Sequence, residues 1–270
     1  MHKKIRLNAA ATAGLLIILF FLIIAVFAPV IAPYDPKEMI ASYLPPSKEH
    51  ILGTNDVGQD IFSEMVYGTR VSLYIGIFAA FIVTGVGTVL ALVSGYFGGV
   101  ADKIITAITN IAMAVPSLPL TVLLIAYLNP GKWSLIIAIS ITAWTGTARI
   151  LRARVMQLKE LPFIKIEKTM AVHPAVILFK HILPNIKDII LTRGAMAISG
   201  AMMTEAGLSF LGLGEFGEKS WGSVLHYAFF RNSIMKKQYW WYVPPIVCIC
   251  VCVLGFMLIG YYGKIKKGGE

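Results

Sequence analysis

Residues 163–185 read FIKIEKTMAVHPAVILFKHILPN, a mixed polar and apolar segment set between two long apolar runs. Too many charges punctuate it for a bilayer interior. Phe163, Ile166 and Met170 recur at i, i+3 and i+7, which places them on one face of a helix. Lys165 and Lys168 fall on another side, with Glu167 beside them. Pro174 cannot continue that helix but suits the first turn of a second. The second piece carries Val176, Ile177, Phe179 and Leu183, and Pro184 is expected to end it. Two short helices meeting at a bend make a docking feature. A loop that only joins two spans is the plainer alternative.

The chain around this segment is 57% hydrophobic and 14% charged over 270 residues, with a mean hydropathy of +0.74. Soluble domains carry about a quarter charged residues, so the composition specifies an all-α polytopic membrane protein. Six apolar runs are long enough to cross: 9–32, 71–97, 104–128, 133–148, 189–208 and 241–262. The first follows Lys3, Lys4 and Arg6 and is expected to remain as an uncleaved transmembrane helix. The net charge of +10 is explained by orientation rather than by nucleic acid. With the N-terminus inside, 15 of the 24 Lys and Arg residues fall on inner segments. Both termini, and residues 163–185 between spans four and five, are therefore expected on the cytoplasmic side. Arg152, Arg154 and Arg193 read as anchors to lipid. Residues 239–242, YWWY, read as an interfacial aromatic belt.

No GxxxxGK[ST] phosphate loop occurs, and GYFGGVADK at 95–103 has no strand before it. The chain is not expected to hydrolyse ATP. Cys248, Cys250 and Cys252 lie in one apolar run, where the middle one points away from the other two, so no metal site is expected of them. His50, His173, His181 and His226 are scattered outside the spans. Pro116 and Pro119 in AVPSLP are expected to kink the third span. Glu205, near the far end of the fifth, is a costly carboxylate that either gates a path or caps a turn. In the loop before the second span, Gly53 and Gly58 are expected at positive φ and Asp60 as a helix cap.

Several stretches carry a family resemblance. Residues 163–185 resemble the EAA loop of ABC importer membrane subunits, and KHILPN at 180–185 the version found in the peptide and nickel permease group. PYDP at 33–36, HILGTNDVGQDIFSEMVYGTRVSL at 50–73, EAGLSFLGLG at 205–214 and Trp221-Gly222 resemble its C-type subunit. The chain departs from that pattern at Lys165-Ile166-Glu167 in place of Glu-Ala-Ala and at Ala171 in place of glycine. It departs again at Asn55, Gln59 and Glu64 in place of Asp, Arg and Arg, and in a short, proline-free EFGEKS at 215–220.

The resemblance implies a non-catalytic permease subunit in the cell membrane for di- or oligopeptides, with a nickel or metal-chelate importer as the alternative. Its partners would be a homologous permease, two ATPases binding ATP and Mg, an extracytoplasmic binding protein and membrane lipid. No cofactor is implied in this chain. Phe163, Lys165, Ile166, Glu167, Met170, Ala171, Pro174, His181 and Pro184 would meet the ATPase. Glu205, Ser209 and Pro116 would belong to the substrate path or its outer gate. The organisation expected is a first helix with an acidic outer loop over 1–70, a permease domain over 71–263 and a basic tail over 264–270. A self-powered secondary transporter or channel, the alternative of another class, predicts repeats and mid-membrane ion-coupling charges; neither is evident.

Overall fold

The computed structural model describes residues 8–215 and 217–263; the basic segments at 1–7 and 264–270 lie outside that range. Eleven α-helices and one π-helical stretch occur among the described residues, and no strand. They are α1 (Ala9–Val26), α2 (Ala28–Ile31), α3 (Ile61–Phe97), α4 (Gly99–Ala114), α5 (Ser117–Leu128) and α6 (Lys132–Lys159). Then follow α7 (Pro162–Thr169), α8 (Pro174–Val176), the π stretch Ile177–Ile182, α9 (Leu183–Phe210), α10 (Trp221–Phe230) and α11 (Tyr239–Tyr262).

The centre of the bundle is α3. Its 37 residues make a rod of about 55 Å at 1.5 Å per residue. Three apolar clusters are strung along it. Ile61 and Met65 join α1, α9, α10 and α11 at one end. Ile75 and Ala79 pack with Ile136 and Ile139 of α6 in the middle. Tyr96 packs with Val155, Ile164 and Ile182 at the far end. The helix starts at Ile61 rather than at residue 71, because Asp60 accepts from the Ser63 amide at 2.8 Å and caps it. It runs unbroken through residue 70, so the preceding loop is shorter than expected. In that loop Gly53 (φ 67°) and Gly58 (φ 85°) take the left-handed conformation foreseen for them.

Among the described residues four helices, α1, α3, α6 and α11, are each long and apolar enough to cross a membrane, with a fifth if the bent α4–α5 pair is counted as one span. Six were expected. The difference is α9, which dilutes its apolar residues with Lys187, Asp188, Arg193 and Glu205. The kink expected at Pro116 is a 90° break. Val115 ends α4 in an extended conformation, and Pro116 stands immediately before α5. Pro119 then sits in the first turn of α5, where no donor is needed.

Three basic or aromatic groups read as lipid-facing turn inward. The Arg152 guanidinium forms a fork on Asp102 at 2.6 and 2.7 Å, joining α6 to α4. Arg193 lies half-buried on α9, its head near Gly146 of α6 and its Nε without a partner. Trp241 is 1% exposed in the cluster at the start of α3, although Tyr239 beside it is open. Among the cysteines, Cys252 is buried and Cys250 exposed, the separation that helical spacing demands.

Helix α1 is apolar on every side, but only Ala11, Gly14, Ile18 and Phe21 are buried, a single stripe facing α11. At Gly14 an added Cβ would stand 2.7 Å from the carbonyl oxygen of Gly255. Small residues let two backbones approach like this where water supplies no driving force. Gly260 of α11 lies against Thr192 and Met196 in the first half of α9, which places Ala9 and Tyr262 toward the end of the bundle where α9 begins. Gly14→Leu should therefore part α1 from α11 and lower stability by about 2 kcal/mol, read as a fall in Tm of the detergent-purified chain. Gly85→Ala, with nothing within 4 Å, should leave Tm unchanged or raised. Equal losses in both variants would contradict the packing.

Candidate functional site

Residues 163–185 fold as the short helix α7, a tight reversal, and a second helix. In α7 the side chain that anchors is Ile164, 1% exposed among Val155, Leu158 and Tyr96. The face expected to be prominent, Phe163, Ile166 and Met170, points away from the bundle, at 44, 58 and 72% exposure. Periodicity grouped these three residues on one face but gave neither its outward direction nor the Ile164 anchor. Lys165 pairs with Glu160 at 3.0 Å and holds that carboxyl below its ordinary range. Lys168 lies over the Tyr96 ring, 4.7 Å from its centre.

The reversal is a helix stop built on Ala171. Its amide donates to Lys168 O at 3.1 Å, and the next amide, Val172 N, donates to Glu167 O at 3.1 Å. This pattern requires a left-handed residue at Ala171, whose φ is +56°. Glycine adopts that region freely, whereas a Cβ there costs about 1–2 kcal/mol. His173 then caps the second helix, its Nδ1 accepting from Ala175 N at 3.2 Å, with Pro174 in the first turn. Across the reversal His181 Nε2 meets Glu167 Oε1 at 2.9 Å. The Phe163 ring stands edge-on to the same imidazole, 6.2 Å between centres.

Pro184 does not end the second helix. Helical backbone continues from Pro174 through Ile177–Ile182 into α9 and on to Phe210. In an α-helix the proline ring would collide with the carbonyl of Lys180 and leave it without a donor. The π stretch widens the turn there, and Leu183 N donates to Leu178 O, five residues back. Asn185 Nδ2 takes up the His181 carbonyl at 2.6 Å. The stop signal was real, but it acts as a change of register.

At the other end of α9 lies Glu205, 1% exposed. Its Oε1 accepts from Ser209 Oγ at 2.7 Å, and its Oε2 from Ser72 Oγ of α3 at 3.3 Å. Ser72 Oγ in turn accepts from Trp221 N of α10 at 3.2 Å. Gly222 permits this closeness, since a Cβ there would stand 2.5 Å from Ala206 O. Glu205 and Ser209 are thus brought together, as a joint of α3, α9 and α10. Pro116 is not part of it; it stands exposed at the α4–α5 break.

A second polar group lies nearby, and no motif announced it. Asn55, Gln59 and Glu64 depart from the family pattern together, and they converge. Asn55 Nδ2 donates to Gln59 Oε1 at 3.1 Å and to Glu64 Oε1 at 2.8 Å. Lys219, from the short EFGEKS segment, donates to Gln59 Oε1 at 2.6 Å and pairs with Glu64. The signal available was the coincidence of an acid for a base at 64 with a base in a shortened loop. Among the described residues no three His, Cys, Asp or Glu side chains come together as metal ligands.

The comparisons with known proteins agree on one family. Residues 87–263 match the model of the binding-protein-dependent transport system inner membrane component. Residues 1–46 match the N-terminal TM domain of oligopeptide transport permease C. The chain is 36% identical over 262 residues to the oligopeptide transport system permease protein OppC of Bacillus subtilis, covering 95% of this chain and 84% of that protein. It is 34% identical over 263 residues to the glutathione transport system permease protein GsiD of Pectobacterium atrosepticum, covering 96% and 86%. An inward-facing structure of the methionine ABC transporter MetNI superposes with a TM-score of 0.60 at 17% identity, over 74% of this chain and 94% of that chain. At that identity the likeness concerns the fold.

The strain at Ala171 yields a direct test. Ala171→Gly should stabilise the reversal by about 1 kcal/mol, seen as slower hydrogen exchange at the amides of 170–172. Faster exchange in the glycine variant would show that Ala171 is not held in the left-handed region.

Proposed function

We propose a role in peptide import for this chain, which belongs to the family of binding-protein-dependent transport system inner membrane components and is a multi-pass inner-membrane permease subunit of an ABC importer. Membership implies an ATPase partner and a substrate-binding protein. In the finer reading the subunit pairs with a homologous permease and two ATPases, which bind ATP and Mg, while this chain holds no cofactor and catalyses nothing itself. The substrate is a di- or oligopeptide, a reading supported by relatives named for oligopeptide and glutathione transport. A nickel or metal-chelate substrate is the alternative within the same architecture.

In this reading residues 163–185 and both termini face the cytoplasm, as the distribution of Lys and Arg favours. The sixth pass is α9, polar because its neighbours α3, α6 and α11 surround it. The observation that carries the reading is the continuity of the helix from Pro174 to Phe210. Phe163, Ile166 and Met170 seat on the ATPase. Ile164 and the Glu167–His181 pair fix α7 to the base of the long helix. Closing of the ATPases moves that base, and the helix carries the motion to Glu205, where α3 and α10 are tied to it. Glu205 acts there as a joint, since both its oxygens already accept from serines.

Ile166→Glu and Met170→Glu place charge on the docking face without touching the Ile164 anchor. In the reconstituted transporter with its binding protein, each should lower peptide uptake by about tenfold or more, equivalent to about 1.4 kcal/mol of coupling. Membrane insertion should be unchanged and ATP hydrolysis should persist. Uptake at the wild-type rate in both variants would sink the docking role.

A further inference from the structure

At the end of the bundle opposite residues 163–185 is a half-open cavity of about 910 Å³ that none of the roles above uses. Its walls come from α3, from the loop before it, from α10 and the segment between α9 and α10, and from the start of α6. Five carboxylates and five basic side chains line it. Most are already paired. Lys219 meets Glu64, Arg231 meets Asp56 at 2.7 Å, and Lys132 meets Glu215 at 3.6 Å and also Glu218.

Asp35, Lys37 and Arg70 remain without an ion pair among the described residues, and the paired carboxylates are unevenly satisfied. Glu64 is 1% exposed, and its Oε2 has no hydrogen-bond partner. Glu215 Oε2 has no hydrogen-bond donor either, with only the Lys132 ammonium at 3.6 Å. Arg70 is exposed on the lining and forms no ion pair among the described residues. Tyr67, Tyr74 and Tyr227 supply aromatic surface to the same cavity. A carboxylate oxygen left bare in a buried place, as Glu64 Oε2 is, is costly and is satisfied by a charged donor. A guanidinium is the group best shaped to take a carboxylate by two hydrogen bonds. The volume lies in the range of about 300–1,000 Å³ that small-ligand sites occupy. A ligand that carries an ammonium, a carboxylate and an apolar body complements these walls.

We propose that this cavity binds short peptides with free termini. The peptide ammonium is held at Glu64 and Glu215, its carboxylate at Arg70, and its side chains lie against the tyrosines. The inference rests on the reading of this end as the outer face, the side from which peptide is delivered. A site here lets the subunit hold a peptide released by the binding protein before it enters the path between the two permeases. It also gives the co-occurring departures at Glu64 and Lys219 a use, because a base at 64 would remove the ammonium's acceptor.

The test uses the assembled transporter in lipid nanodiscs without its binding protein, with tritiated trialanine as the ligand. N-acetyl-trialanine and trialanine amide serve as competitors. Trialanine should bind saturably, and each cap should weaken competition by about tenfold or more. Arg70→Gln should weaken trialanine binding by a similar factor and abolish the disadvantage of the amide. Glu215→Gln should do the same for the acetylated peptide. Both variants leave the Glu64–Lys219 pair in place, so neither strands a buried charge.

Equal competition by capped and free peptides, unchanged binding in both variants, or no saturable binding at all would overturn the proposal. So would variants that weaken only docking of the binding protein while trialanine binding stays intact. Peptide uptake by the wild-type transporter is followed in parallel with its binding protein present. Its absence would sink the proposed function; uptake that persists without a trialanine site would sink only this inference.

Discussion

One helical rod, from Pro174 to Phe210, is what the rest of the structure depends on. It begins beside the exposed face of α7 and ends at the buried joint around Glu205. A proline near its base would ordinarily break it. The break is avoided because six residues adopt π geometry and move the hydrogen-bond register past the ring. Were Pro184 a true stop, the docking segment would be a flexible appendage. Because it is not, a displacement at one end must be answered along α9, which packs on α3, α6, α10 and α11.

The two ends are held by different physics. At the end that carries α7 the grip is apolar, through Ile164, Ile177, Ile182 and Ile186, and the Glu167–His181 contact adds direction. At the far end it is a carboxylate shared between serines of two helices, with a tryptophan amide completing the chain. Apolar packing tolerates small sliding, whereas a hydrogen-bonded joint has a fixed geometry. The arrangement suits a lever that is moved at its base and read at its tip. The strained Ala171 sits at the one point where the docking helix must reverse, so its strain is borne at the joint between α7 and the rod.

Much of this was legible in the residues. The helical class followed from composition, and Asp60, Gly53, Gly58 and the cysteine faces followed from local rules that depend only on near neighbours. That Phe163, Ile166 and Met170 share one face followed from period; that the face points outward did not. What escaped had distant causes. Ile164 is an anchor only because Tyr96 and Val155 arrive beside it. Arg152 looks like a lipid anchor until Asp102, fifty residues away, comes within reach. Glu64 looks like a lone departure until Lys219 closes on it from 155 residues further along. Pro184 misled for another reason, since the rule that proline stops a helix assumes the α register.

The central claim is that the outward face of α7 touches the ATPase and that the rod moves with it. The most direct measurement is site-specific disulfide crosslinking in the assembled transporter, pairing Met170→Cys with cysteines placed around the cleft of the ATPase. A crosslink should form to the ATPase, and its yield should change with ATP and with ADP, because the face is exposed and α7 is held to the rod by Ile164 and Glu167. A cysteine at 170 that crosslinks to no ATPase position, or is labelled from outside the membrane, would contradict the account.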